Sequence, residues 1–323
     1  MRRPITVPEG IMNVCARPHV LVTGASSGIG RATALHLTAH GYHVFAGVRK
    51  PADGAALARD AAGGAGLAGG AAGGAGDAAG ELTPLLLDVT DAAQIAAASQ
   101  AIASHAPDAG LAGLVNNAGI GVFGPLELIP IESFRRQLEV NVTGQLAVTQ
   151  AVLPLLRRAQ GRIVMVGSIG NRFTPPFIGP LAASKSALAT LSTALRQELA
   201  PFGIHVVLVE PGSINSEAAG KLDADAQRVL DDASPAARAR YHDAFLSLVS
   251  FFSALHHKGS PPREVAQAVA RALTARHPRP CYLAGKNARK MAVAAKLLPA
   301  GAQDALRRRL THQPAWASHA GPN

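Results

Sequence analysis

The chain has 323 residues, of which 48% are hydrophobic and 16% are charged, so it can bury a large core in one α/β domain or in two smaller ones. Its formal net charge of +10 suits acidic partners, but aromatic residues make up only 4% of the sequence and the basic residues are scattered, which argues against a nucleic-acid surface. No apolar run reaches the roughly 18 residues of a membrane span. The two cysteines form neither a disulfide framework nor a metal-ligand pattern, so we expect a cytoplasmic chain without a metal ion.

Strand and helix patterns alternate from the start of the domain. The run HVLVTG (19–24) predicts a strand, RATALHLTAHG (31–41) predicts a helix that ends at its glycine, and YHVFAGV (42–48) predicts a second strand. The Ala- and Gly-rich stretch over about 54–80 has few side chains that can pack. We therefore expect a short helix there, followed by a flexible surface loop at about 60–80.

The same alternation continues through the middle of the chain. LTPLLLDVTD predicts a strand that ends at Asp88, LAGLVNNAG a buried strand that ends in the turn 116–119, GRIVMVGS a strand that ends at Ser168, and IHVVLVEPG a further strand. This order predicts an α/β fold with a doubly wound parallel sheet, whose ligands bind at the carboxyl ends of the strands. The helices between these strands are predicted at 92–105, about 131–159 and 181–201.

The first strand leads directly into the glycine loop TGASSGIG (23–30). Glycines at 24, 28 and 30 allow a tight turn and let the backbone approach a pyrophosphate at the N-terminus of the next helix. An ordinary glycine turn is the alternative. Asp88 and the NNAG turn, at the ends of the following strands, favour dinucleotide binding.

Together with Asn141, Ser168 and Lys185, these segments resemble the short-chain dehydrogenase/reductase family over about residues 17–220. The resemblance implies a Rossmann-like fold, a nicotinamide cofactor, and hydride transfer to or from a carbonyl or alcohol carbon. We also expect a homo-oligomer. Ser216 stands where the family usually has threonine, which keeps the hydroxyl. The cofactor-binding residues that the resemblance implies are Thr23, Gly24, Ser26, Ser27, Gly28, Ile29, Gly30, Asp88, Val89, Asn117, Ala118, Gly119, Lys185, Pro211, Gly212, Ile214 and Ser216.

The choice between the two nicotinamide nucleotides depends on the charge after the second strand. A carboxylate there would bond the free ribose hydroxyls of NAD and repel a 2′-phosphate. This sequence has Val48, Arg49 and Lys50 instead. Because charge-assisted bonds to phosphate are strong, Arg49 and Lys50 favour NADP(H) over NAD(H). The alternative is that both are solvated loop residues.

The proton-donor position departs from the family pattern. By the resemblance, Ser168 fixes the substrate oxygen, Lys185 holds the nicotinamide ribose, Asn141 supports a water, and a tyrosine four residues before the lysine transfers the proton. Leu181 occupies that tyrosine position, and leucine has no proton to give. Losing a general acid typically costs about 100- to 10,000-fold in rate.

Three interpretations follow from this departure. The protein is an oxidoreductase in which Ser168 polarises the oxygen of a lipophilic alcohol or carbonyl compound and a water near Lys185 supplies the proton. Alternatively, it is a redox-neutral enzyme, such as a cyclase, isomerase or dehydratase. The third interpretation is a non-catalytic nucleotide-binding pseudoenzyme. Arg172 is a candidate for holding a substrate carboxylate, or else an ordinary surface arginine.

The chain after residue 216 is less typical of the family. FLSLVSFFSAL (245–255) suggests a hydrophobic lid within about 217–262, with core packing or a subunit interface as the alternative. PPREVAQAVARALTAR predicts a helix, and PCYLAG predicts the last strand of the sheet. We thus divide the chain into an N-terminal extension (1–17), a nucleotide-binding and catalytic domain (18–285) and a basic tail (286–323). The tail is a helical cap, a dimer contact or a peripheral membrane contact.

Overall fold

The computed structural model describes residues 17–65, 80–215 and 222–310. In this part of the chain, parallel strands form one seven-stranded sheet. The strands are β1 (His19–Val22), β2 (His43–Val48), β3 (Glu81–Leu86), β4 (Gly113–Asn116), β5 (Arg162–Val166), β6 (His205–Pro211) and β7 (Cys281–Ala284). Their order across the sheet is β3, β2, β1, β4, β5, β6, β7. The direction of winding therefore reverses between β1 and β4, where a doubly wound sheet opens a ligand crevice.

Helices cover both faces of the sheet, and two more follow the last strand. The predicted doubly wound α/β fold with a helical C-terminal region is thus confirmed. The described helices are α1 (Gly28–Thr38), α2 (Pro51–Ala65), α3 (Ala92–His105), α4 (Ile131–Leu138), α5 (Gly144–Ala159), α6 (Gly179–Leu199), α7 (Leu222–Asp231), α8 (Pro235–His257), α9 (Pro262–Thr274), α10 (Ala288–Leu297) and α11 (Ala300–Leu310). None of these is both long and apolar enough to cross a bilayer.

The sheet has one core on each face, because successive residues of a strand point to opposite sides. Val20 of β1 packs in the cluster that contains Leu37 of α1 and Val269 of α9. Its neighbour Leu21 packs in the opposite cluster, with residues of α3, α5 and α6 that include Val152. The two cores bury the central strands on both faces and fix the strand ends that carry the polar loops.

A third apolar cluster lies outside the sheet and contains part of the predicted lid. Phe245 and Leu248 of α8 are buried together with Leu230 of α7 and Ile178. Phe177, in the loop before α6, has its ring centroid 5.5 Å from that of Phe245. α7 and α8 thus pack against the loop that follows Ser168, and the lid role of this cluster stays a prediction.

Two helices differ from the sequence-based predictions. The single helix predicted at about 131–159 is interrupted by a π-helical turn, Glu139–Thr143. α2 extends to Ala65 and is longer than the short helix expected in the Ala- and Gly-rich stretch. The predicted loop at 66–79, most of the N-terminal extension (1–16) and the end of the tail (311–323) lie outside the described residues.

Candidate active site

The glycine loop between β1 and α1 forms one wall of a cleft at the β1–β4 crevice. Gly24 has φ +63°, a left-handed conformation that glycine adopts at little cost. A Cβ on Gly30 would lie 2.1 Å from the Gly24 carbonyl oxygen and 2.5 Å from Asn117 Nδ2, so no larger residue fits there. Ser27 precedes α1 without capping it through its side chain, which leaves the first N–H groups of the helix able to bind an anion.

Thr23 and Asn117 join the ends of β1 and β4. The Thr23 hydroxyl donates to the Val115 carbonyl and accepts from the backbone N–H groups of Asn117 at 2.9 Å and Ala118 at 3.0 Å. Asn117 Nδ2 donates in return to the carbonyls of Thr23 and Gly24, at 3.0 and 3.1 Å. Because Thr23 is fully buried and its hydroxyl is used in this way, its contribution to the site is to hold the loop in place.

The cleft has a volume of about 260 Å³ and is open to solvent on one side. Most of the predicted cofactor residues line it. They are Gly24, Ser26, Ser27, Gly28, Ile29, Gly30, Arg49, Asp88, Val89, Asn117, Ala118 and Gly119. Lys50 is exposed and is not among the described residues that line this cleft.

Arg136 also lines the cleft and was not predicted from the sequence. Its guanidinium donates to the Thr90 hydroxyl at 3.0 Å and lies 3.8 Å from a carboxylate oxygen of Asp88. Partial burial would raise the pKa of Asp88, but hydrogen bonds from the Thr90 N–H and hydroxyl and the charges of Arg136 and Arg49 outweigh it and leave that pKa lowered. Asp88 is therefore an ionised carboxylate between two cations at this end of the cleft.

The π-helical turn places Asn141 against the loop after β4. Its Oδ1 accepts from the Ile120 N–H at 2.8 Å, and its Nδ2 donates to the Ile120 carbonyl at 2.9 Å and to the Ser184 hydroxyl at 3.0 Å. Ser184 in turn donates to the carbonyl of Leu181 at 2.8 Å. Asn141 thus connects the cleft loop to α6 one residue before Lys185, and Ser184 is a second site residue that was not predicted.

The side chain of Lys185, in α6, reaches the carboxyl end of β5. Its Nζ donates to the Val166 carbonyl at 2.8 Å and would be 3.7 Å from a Cβ on Gly119. Desolvation lowers the pKa of Lys185 to about 8. The ammonium therefore sits between the sheet end and the cleft, and it gives up its proton more readily than an exposed lysine does.

Ser168 starts the short 3₁₀ turn after β5. Its hydroxyl oxygen accepts from the Gly170 N–H at 3.1 Å, and the hydroxyl proton has no acceptor among the described residues, so it remains available to a ligand. Leu181 lies in the first turns of α6, one helical turn before Lys185. Tyr241 packs its ring against Phe177 of this loop. Its hydroxyl donates to Glu127, so it does not point to the position of Leu181 as a proton donor.

Arg172 does not present a free guanidinium to a substrate. Its Nε donates to both carboxylate oxygens of Glu210, at 3.0 and 2.8 Å, and Asn171 Nδ2 donates to the same group at 2.9 Å. Glu210 is fully buried at the end of β6. Burial and the bond to Glu210 also raise the pKa of the Cys281 thiol to about 12. The interpretation of Arg172 as a residue that holds a substrate carboxylate is therefore wrong, because its guanidinium is already bound to the buried carboxylate of Glu210.

The segment after β6 is held by the chain beyond β7. The Gly212 N–H donates to the Ala284 carbonyl at 2.8 Å, and the Ser213 N–H donates to the Lys286 carbonyl at 3.0 Å. A Cβ on Gly212 would lie 2.2 Å from that Lys286 oxygen. Ser216 lies outside the described residues. The predicted cofactor residues that are described in this segment are Pro211, Gly212 and Ile214.

Comparison with known proteins decides the family. The family model described as short chain dehydrogenase matches residues 18–227. The chain belongs to the short-chain dehydrogenase family. Among curated short-chain dehydrogenases, human retinol dehydrogenase 5 is 34% identical over 304 residues, which cover 92% of this chain and 90% of that protein.

Two further relatives of this short-chain dehydrogenase come from bacteria. The NADPH-dependent 3-dehydrocapnine reductase of Ornithobacterium rhinotracheale is 31% identical over 286 residues, 87% of this chain and 93% of the reductase. The crystal structure of a short chain dehydrogenase from Burkholderia cenocepacia in complex with NADP superposes with a TM-score of 0.62 at 27% identity, covering 91% of this chain and 97% of that one.

Proposed function

We propose that this short-chain dehydrogenase is an NADP(H)-dependent oxidoreductase that acts on a lipophilic alcohol or carbonyl compound without a tyrosine proton donor. One observation carries the proposal. The Ser168 hydroxyl and the Lys185 Nζ both lie at the end of β5 and keep protons that no described residue accepts. The glycine loop, α1 and β4 line an open cleft at the crevice. A site of this kind keeps the groups that bind and polarise a substrate oxygen.

The residues of the cleft fit a dinucleotide. The space at Gly30 excludes a side chain, and the open N–H groups of α1 suit a pyrophosphate. We propose that Asp88 and Val89 bind the adenine and that Arg49 binds the 2′-phosphate. The middle of the cofactor then contacts Asn117, Ala118 and Gly119. Lys185 binds the nicotinamide ribose, and the segment Pro211 to Ser216 covers the nicotinamide. When bound, the nicotinamide supplies or accepts the hydride.

The protein groups then handle the proton. In the direction of reduction, the Ser168 hydroxyl donates to the carbonyl oxygen and polarises it. Lys185 uses one N–H on Val166 and keeps two for the ribose and for a water near the position that a phenol would occupy. The proton passes from the Lys185 ammonium through this water to the alkoxide, and solvent restores it. A lysine pKa near 8 makes this transfer easier than from an ordinary lysine.

The names of the relatives support the substrate class and the cofactor. Human retinol dehydrogenase 5 is named for an apolar alcohol, and the Ornithobacterium relative is named for its use of NADPH. The apolar cluster of α7 and α8, which packs against the loop after Ser168, is suited to cover such a substrate. We keep the homo-oligomer and the cytoplasmic location as predictions.

Leu181 is the observation that favours a second candidate, a redox-neutral cyclase, isomerase or dehydratase on the same scaffold. Such chemistry would use the cleft and Ser168 and would need no phenol at residue 181. A nucleotide-binding pseudoenzyme is the third possibility and differs from both in having no turnover. The experiment below separates the redox proposal from these two.

The test is NADPH oxidation by the purified protein with a panel of lipophilic ketones and aldehydes, beside Leu181→Tyr and the matched control Leu181→Phe. We expect turnover by the native protein, little change in Leu181→Phe, and faster turnover in Leu181→Tyr, by up to roughly 100- to 10,000-fold if the phenol takes over the proton. Cofactor binding, measured separately by NADPH fluorescence, should be similar in all three proteins. Turnover in Leu181→Tyr alone would overturn the redox proposal and leave the redox-neutral enzyme and the pseudoenzyme.

A further inference from the structure

The helix α10, which follows β7, has an exposed face that combines cations with apolar side chains. Arg289, Lys290, Val293, Lys296 and Leu297 are all exposed, and Val293 and Leu297 retain 55% and 72% of their accessible surface. Counted from Arg289, the other four residues follow after one, four, seven and eight positions, and this spacing places all five on one side of the helix. We call these five residues the basic face of α10.

The opposite side of α10 is held by the domain. Ala288 is buried, and the Gln303 side chain of α11 donates to the carbonyls of Ala295 and Leu298 at 3.0 and 2.9 Å. Gln303 therefore fastens the start of α11 to the end of α10. The exposure of Val293 and Leu297 is thus a feature of a fixed helix rather than of a frayed end.

The cations of this face lack partners in the described part of the chain. Asp304 is the single acidic residue between Lys286 and Arg309, and it pairs with Arg307 at 2.8 Å. Arg289, Lys290 and Lys296 form no ion pair with any described residue. The face accordingly carries a positive charge that nothing on the described surface compensates.

The basic face adjoins the substrate side of the domain. The Lys286 carbonyl, two residues before α10, accepts from Ser213 in the segment after β6. On α11, the guanidinium of Arg307 lies 4.8 Å from the ring centroid of Phe173, and Phe173 belongs to the loop between Ser168 and α6. A partner on the basic face would therefore lie close to the loops that surround the proposed substrate site.

We propose that the basic face of α10 docks the protein on the surface of a bilayer that contains anionic phospholipids. Exposed cations attract the anionic headgroups, and Val293 and Leu297 can enter the boundary between headgroups and acyl chains. A second copy of the chain fits less well, because a two-fold interface would bring this face against itself and oppose like charges. The proposal does not depend on the proposed redox activity, since binding is measured without turnover.

The test is co-sedimentation of the full chain with phosphatidylcholine vesicles that contain or lack phosphatidylglycerol. The variant Arg289→Gln/Lys290→Gln/Lys296→Gln removes the charges of the face. A matched control, Arg59→Gln/Arg263→Gln/Arg271→Gln, removes the same charge from exposed arginines on α2 and α9. Each surface cation contributes roughly a factor of five to binding, so we expect the first variant to bind anionic vesicles roughly 100-fold more weakly than the native protein does, and the control to change much less.

Three outcomes of the vesicle experiment would overturn the proposal. They are failure of the native protein to bind anionic vesicles, equal binding to neutral vesicles, and an equal loss in the matched control. Sedimentation velocity without lipid tests the alternative occupant, because self-association that the first variant abolishes would assign the face to a second copy. Val293→Ser/Leu297→Ser should weaken vesicle binding while the far-ultraviolet circular dichroism and the thermal midpoint stay those of the native protein.

Discussion

Lys185 donates a hydrogen bond from Nζ to the backbone carbonyl of Val166 at 2.8 Å. This contact ties α6 to the last residue of β5, two positions before Ser168. The lysine side chain is therefore directed to the sheet end from which the serine projects. This contact of Nζ does not involve the side chain of Leu181, so we expect the ammonium to keep its position whichever side chain stands at residue 181.

We predict that the rate of carbonyl reduction falls as the pH rises through about 8. Burial disfavours the ammonium form and lowers the pKa of Lys185 to about 8, so the proton donor is lost above that pH, earlier than for an exposed lysine. The measurement is kcat against pH from neutral to alkaline conditions. In Lys185→Arg the guanidinium stays charged and the inflection should vanish, although the rate itself drops. An inflection that persists in this variant would assign the proton to another group.

We predict that the protein prefers NADPH to NADH and that Arg49 determines this preference, and the neighbouring Lys50 provides the control. Arg49 lines the cleft, whereas Lys50 is exposed outside it. Arg49→Gln removes charge-assisted bonds to the 2′-phosphate, so we expect the Kd for NADPH to rise roughly 10- to 100-fold with little change for NADH. Lys50→Gln should change both by less than about threefold. Fluorescence titration gives the constants, and an equal loss for both nucleotides in Arg49→Gln would contradict the assignment.

We predict that replacing Gly30 by alanine destabilises the protein, whereas replacing Gly63 by alanine stabilises it. At Gly30 the new Cβ would overlap the Gly24 carbonyl, so we expect NADPH binding to weaken more than about tenfold and stability to fall by about 1–3 kcal/mol. Gly63 lies in α2 with nothing within 4 Å of an added Cβ. Its replacement should stabilise the protein by about 0.5–1 kcal/mol through helix propensity. Urea unfolding and NADPH titration of both variants test the pair, and a harmless Gly30→Ala would show that the loop can rearrange.

We predict that replacing Arg172 destabilises the protein more than replacing its partner Glu210 does. Glu210 has no exposed surface, while the Arg172 side chain is 43% exposed. Arg172→Leu leaves a buried carboxylate without its cation and should lower the free energy of unfolding by about 3–5 kcal/mol. Glu210→Gln leaves an arginine that water can solvate, so its cost should be about 1–2 kcal/mol. Chemical denaturation of the two variants measures both losses in the free energy of unfolding. Equal losses would mean that Glu210 is hydrated in solution.

The sheet was predictable from the sequence because parallel strands covered on both faces are short, continuous apolar runs. The runs HVLV of β1 and RIVMV of β5 illustrate this. The polar residues that follow such runs lie together at the carboxyl edge of the sheet. The π-helical turn was not predictable in the same way. Helical periodicity continues on both sides of it, and a single turn of wider winding leaves no clear signal in the pattern of apolar residues.

The contacts that sequence reasoning missed join distant segments of the chain. Arg136 reaches Thr90 across 46 positions, and Arg172 meets Glu210 across 38. Neither pair shows a local spacing that would announce it. Ser184 could have been suspected from its place beside Lys185, but its bond to Asn141 depends on how the π-helical turn presents that residue.

The π-helical turn also makes the site sensitive to the number of residues in the chain. The Gly144 N–H bonds to the carbonyl of Glu139, five residues back, so this turn holds one residue more than a regular helical turn does. Deleting one residue of this turn other than Asn141 would restore regular winding and leave α4 and α5 in nearly their present relative orientation. Arg136 would then stay beside Asp88, but the backbone that carries Asn141 would change its course and take the Asn141 amide away from Ile120, although every side chain of the site would still be encoded.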